Sequence, residues 1–140
     1  MTETPDETAP VLLDLETIDL EGDAERGATM PVVNPRTGAR TGATVTLLGQ
    51  EAATYRGNLR KLRDAAAAYP EREPTDEDTR MLLARARQAG AAITGWTGIG
   101  FGGRAVEFSR EAAVELCFKR PWLADQILAF ITAPGNFARG

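Results

Sequence analysis

Residues 29–49 read TMPVVNPRTGARTGATVTLLG, and the change of hydrophobic period on leaving this stretch decides the fold. Thr44 and Thr46 alternate with Val45 and Leu47, the period-two pattern of a half-buried strand rich in β-branched residues. Thr29–Val33 is the matching run, and Asn34-Pro35-Arg36-Thr37-Gly38 stands between the two. Proline presets one dihedral of a turn and glycine accepts a positive one. A β-hairpin over 29–48 follows. Beyond Gly49 the period becomes helical: Tyr55, Leu59, Leu62 and Ala66 fall at i, i+4, i+7 and i+11, one face of a helix.

That helix is expected over 50–69, because Pro70 disfavours a helical residue before it. Thr75 is placed to cap the next, with Asp76, Glu77 and Asp78 at its positive end. Its apolar positions, Met81 or Leu82, Ala86, Ala89 and Ile93, run on to Trp96, so the expected span is 75–96. Ser109 caps a short helix over 109–118, and Pro121 suits the first turn of a last helix over 121–132. The expected fold class is α+β, mostly α: an N-terminal β-hairpin followed by about four helices in one small domain. A chain of 140 residues has room for one core.

Charge divides the chain at residue 26. Nine acids and no base occupy residues 1–25, which leaves eleven acids against sixteen bases in 26–140, a net of +5. Residues 1–26 therefore read as an acidic leader, disordered or forming an edge strand through Leu13, Leu15, Ile18 and Leu20, ahead of a single α+β domain over 27–140. The leader solubilises the chain, folds back on the basic body or enters a partner's basic groove. Its first residues lack the apolar stretch of a signal peptide. No run approaches the roughly 18 apolar residues that span a membrane.

Residue counts exclude much chemistry. The chain has no histidine, one serine (Ser109) and one cysteine (Cys117), so neither a Ser-His-Asp triad nor a Cys/His zinc site can be built within it. A disulfide inside the chain is equally impossible. Glu71, Glu73, Asp76, Glu77 and Asp78 form an acidic cluster, which lacks the glycine and spacing of a calcium loop and reads as helix-capping charge. Gly98-Ile99-Gly100-Phe101-Gly102-Gly103 matches the dinucleotide spacing. A helix ending at Trp96 would precede it where a strand is needed, so a flexible connector or small hairpin is expected instead. Arg56, Arg60 and Arg63 form a basic stripe, read as a solvated helix face, with nucleic-acid binding not expected. No cofactor, metal or catalytic residue is assigned. Trp122, Leu123, Phe130 and Phe137 are the candidate partner-binding residues, because aromatic anchors dominate protein interfaces.

Several short motifs carry a resemblance. Val32-Val33-Asn34-Pro35-Arg36-Thr37-Gly38, Val45-Thr46-Leu47-Leu48-Gly49, Tyr55-Arg56, Trp96-Thr97-Gly98-Ile99, Phe108-Ser109-Arg110-Glu111, Trp122-Leu123, Phe130-Ile131 and Asn136-Phe137 together resemble small tail assembly chaperones of tailed bacteriophages and prophages. The resemblance spans roughly residues 30–138. It departs at the glycine-rich 98–103 segment and at Cys117-Phe118. It implies a non-enzymatic late protein of the bacterial host cytoplasm, which binds the tape-measure protein and helps recruit tail-tube subunits. The alternatives are a tail-completion or connector subunit retained in the virion and, from another class, a small nucleotide- or metal-dependent enzyme.

Overall fold

The computed structural model of the protein describes residues 11–138. Their element order is α1 (Leu20–Arg26), β1 (Ala28–Val33), β2 (Arg40–Leu47), α2 (Ala53–Ala68), α3 (Glu77–Ala92), β3 (Ile93–Thr97), β4 (Gly100–Phe101), β5 (Arg104–Ala105), α4 (Arg110–Lys119) and α5 (Pro121–Ile131). Helix takes 54% of the described residues and strand 18%, so the fold is α+β with helix in the majority.

β1 and β2 form the expected hairpin, paired antiparallel from Ala28↔Leu47 to Val33↔Arg40. Its turn is built by Asn34, whose side-chain oxygen accepts from the Arg36 amide at 2.9 Å and whose carbonyl accepts from Gly38 at 2.8 Å. Gly38 takes φ +76° there, a conformation that costs glycine nothing. Pro31 sits in β1, an edge strand of the sheet, the one place a residue without an amide proton is tolerated. Gln126 of α5 closes that edge: it accepts from the Val33 amide at 3.1 Å and donates to the Val33 carbonyl at 2.7 Å.

The 75–96 helix is not continuous. α3 stops at Ala92, and Ile93–Thr97 turn into a third strand, with Val45↔Trp96 and Thr46↔Gly95 paired antiparallel in the order β1-β2-β3. Apolar periodicity runs unbroken through Ala89 and Ile93, which is why one helix was expected. Pairing with β2 extends the chain instead, as suits the β-branched Ile93, Thr94 and Thr97. Asp76, rather than Thr75, caps α3 by accepting from the Thr79 amide at 2.9 Å.

The edge strand expected within the leader is also replaced. Leu15–Thr17 make a single 3-10 turn, and Leu20–Arg26 form α1, capped by Asp19 through the Gly22 amide at 2.9 Å. α1 belongs to the packed body: Ala24 is buried and its carbonyl accepts from Gly49 at 3.0 Å. An added Cβ on Gly49 would lie 2.7 Å from the Ala24 Cβ, so this approach needs glycine. Among the described residues the buried apolar side chains form one cluster, with Val45, Leu47, Ile93, Cys117, Ile127 and Ile131 at its centre.

Candidate docking groove

The aromatic residues singled out in the sequence separate in space. Leu123 and Phe137 are buried, and Phe137 meets the half-buried Phe130 edge-on, ring centroids 5.5 Å apart. Both side chains belong to the core, so Phe137 is not exposed as an anchor, while Leu123 keeps only the edge it shows to a groove shared with Trp122. Their apolar period was read correctly, but a sequence does not say which side of a terminal helix the body covers. Trp122 is different: it is 36% exposed. Trp96 is half-buried, its indole donating to the Val106 carbonyl at 2.8 Å and its ring edge-on to Phe108 at 5.2 Å.

Trp122 owes its exposure to the junction of α4 and α5. Ser109 caps α4 by accepting from the Ala112 amide at 3.0 Å. Arg120 ends that helix and directly precedes Pro121, the first residue of α5. With no loop to spare, the first turn of α5 points Leu123 inward and Trp122 outward. Gly98, at φ +72° and packed on Ala43, turns the chain away from β3. Gly102 and Gly103, both at positive φ, then close a two-residue hairpin that pairs Phe101 with Arg104. Two successive positive-φ glycines match the favoured twist of such a turn.

The result is an apolar groove of about 200 Å³ between the end of the main sheet, the glycine hairpin and the α4–α5 junction, lined chiefly by Val32, Ile99, Phe101, Leu116, Trp122 and Leu123. Cations frame it. Lys119 Nζ lies 5.0 Å and Arg120 Cζ 5.1 Å from the Phe101 ring centroid, each contact worth roughly 0.5–1 kcal/mol at an exposed site. On the other side of Trp122 the Asn34–Arg36 turn lines a second depression. Among the described residues no carboxylate lines the groove.

The glycine segment thus forms the small hairpin that was one expectation. The reason for that expectation is corrected: a strand, β3, does precede the glycines, in an antiparallel sheet, and they lead into a hairpin instead of a helix N-terminus. A nucleotide phosphate needs the latter.

The acidic cluster and the basic stripe are dispersed on the surface. Glu73 makes a two-pronged ion pair with Arg87, both contacts 2.7 Å, which lowers its pKa below the usual carboxylate range. Asp76 is lowered likewise by its cap to Thr79. Arg56, Arg60 and Arg63 are exposed along α2. Among the described residues no three of His, Cys, Asp and Glu converge as metal ligands, and no helix is long and apolar enough to cross a membrane. Cys117 is buried, and desolvation pushes its thiol up to about 12, so thiolate chemistry is suppressed at neutral pH.

A second surface was missed in the sequence. Val11, Leu12, Leu13, Leu15 and Ile18 are 94, 88, 64, 74 and 52% exposed. Their signal was present, five large apolar residues among eight, separated only by Asp14, Glu16 and Thr17, but reading Leu13, Leu15 and Ile18 into an edge strand assigned them to a sheet that does not include them. No protein-family model matches the chain, and neither does any curated protein or solved structure.

Proposed function

We propose that the protein works by binding other proteins, as a tail assembly chaperone of a tailed bacteriophage in the cytoplasm of the bacterial host. In this reading it holds the tape-measure protein in solution and helps bring tail-tube subunits to it. The phage assignment rests on the motif resemblance from Val32 to Phe137. The observation that carries the binding mode is the groove between Phe101 and Trp122, apolar inside and cationic at the rim. Exposed aromatics beside arginine are the residue types enriched at interface hot spots. A client rich in apolar side chains and short of bases suits that surface.

Co-expression with the tape-measure protein of the same phage tests the reading. Recovery of soluble tape-measure protein rises when the chain is present, and Trp122→Ala cancels most of that rise while leaving the chain folded. Purified virions, analysed by mass spectrometry, lack the chain. Its presence there at a fixed stoichiometry would replace the chaperone with the connector or tail-completion subunit, and an unchanged tape-measure recovery would remove the client altogether.

A further inference from the structure

We propose that the Phe101–Trp122 groove takes the leader segment 11–18 of a second copy of this chain, so that copies associate head to tail. The inference rests on reading the groove as a protein-binding surface and names the partner it takes.

The two surfaces are complementary, and among the described residues neither is matched within one chain. The leader presents five exposed large apolar side chains, with Asp14 and Glu16 between them and no base before Arg26. Exposed apolar runs of this kind mark interaction sites. The groove offers an apolar floor, with Arg120 and Lys119 at its Phe101 edge and Arg36 beyond Trp122. Lys119 shares its charge with Glu115 at 2.7 Å, whereas neither Arg120 nor Arg36 makes an ion pair among the described residues. An acidic apolar segment thus meets two guanidinium groups free of ion pairs among the described residues, Arg120 donating only to the Lys119 carbonyl at 2.8 Å, and guanidinium groups fork onto carboxylates with good geometry.

Size decides against a small-molecule occupant, and sign against the neighbouring groove. At about 200 Å³ the groove is smaller than the roughly 300–1,000 Å³ of small-molecule sites, but it has room for aliphatic side chains of an extended segment. A larger apolar groove of about 700 Å³ lies beside α4, lined by Leu62, Leu83, Val114 and Phe118. Glu111 and Glu115 line it too, and its Arg110 is committed to the Gly90 and Ile93 carbonyls, so it repels an acidic segment. Within one chain residues 11–18 do not line the groove, and α1 is held beside Gly49 and Arg26 beside the Phe137 carbonyl. A leader given to one neighbour and a groove filled by another make a heterologous contact. The segment is short, so the contact belongs with weak interfaces that bury less than roughly 1,200 Å² and form in the micromolar range.

Sedimentation velocity of the full chain over a series of concentrations tests this. Association rises with concentration and weakens with salt. A leader variant, Leu12→Glu with Leu15→Glu, lowers the association constant at least about tenfold, and so does a groove variant, Trp122→Ala. Arg120→Glu, at an exposed position outside the core, does the same through charge alone, which separates loss of docking from loss of folding. Mixing the leader variant with a groove variant restores one-to-one pairs, since one keeps its groove and the other its leader. A chain that stays monomeric throughout, an association constant indifferent to either class of variant, or a mixture that forms no pairs overturns the proposal. Client recovery is read separately: a monomeric chain whose Trp122→Ala form still loses the tape-measure protein leaves the binding reading standing and removes this partner.

Discussion

Gly90 lets α4 press against α3. A Cβ added there would lie 2.7 Å from Val114 Cγ2 and 3.0 Å from the Val114 backbone nitrogen, which no rotamer change can move aside. Gly90→Ala gains about 1 kcal/mol of helix propensity but incurs overpacking of about 1–3 kcal/mol. The expected net result is a loss of about 1 kcal/mol, seen as a melting temperature lower by roughly 2–4 °C in a thermal scan. A higher melting temperature would mean that α4 can shift. Cys117 gives a second test at this scale: its thiol resists an aromatic disulfide reagent at pH 8 in the native protein and reacts fully on denaturation, because burial keeps it protonated up to about 12. The sequence offered the lone cysteine among Ala113 and Leu116 as an apolar helix position, and that much was legible. The need for glycine at 90 was not, because it depends on a neighbour 24 positions away.

Helix ends were the most legible elements, since a cap is decided by residues within one turn. Ser109 and Pro121 stand where the sequence placed them, and Ser109→Ala should cost about 1 kcal/mol of unfolding free energy in a urea titration. Around α3 the carboxylates make stability depend on pH. Glu73, paired with Arg87, and Asp76, capping Thr79, both have pKa values lowered in the folded chain. The unfolded chain then binds protons first as pH falls, so their contribution is complete above the ordinary carboxylate range, about pH 4–4.5, and is lost as pH drops through the folded values. Urea midpoints should therefore fall between pH 5 and pH 3, and Glu73→Gln should make that fall shallower; an identical slope in the variant would show that the Arg87 pair contributes nothing. The strand β3 was the illegible element. Apolar period alone carries Ala89 into Ile93 as one helix, and only the ladder with Thr44–Leu47 tells the chain to extend at that point.

At the scale of the whole molecule, the two ends of the described residues behave oppositely. Phe137 closes the cluster near Gly49 and packs on Phe130, so Phe137→Ala should cost about 3 kcal/mol. Deletion of residues 1–18 should leave the melting temperature within about 1 °C, because side chains 11–18 expose most of their area and removal of such surface touches no core. A large drop on deleting the leader would mean that it is docked onto the body. What the sequence determined by itself was local: the Asn34 turn with its hairpin, the helical period of Tyr55–Ala66, the Ser109 cap, the proline stop and start, and the residue counts that forbid histidine, serine-triad and zinc-thiolate chemistry. Each is settled by dihedral preference, by hydrogen bonds across a few residues, or by composition. Only the tertiary structure decided that 93–97 is a strand, that 20–26 is a packed helix, that Leu123 and Phe137 are core, and that Trp122, Phe101 and the apolar residues of 11–18 are left facing out. Burial is set by whichever distant surface arrives to cover a side chain, and no window along the chain contains that surface.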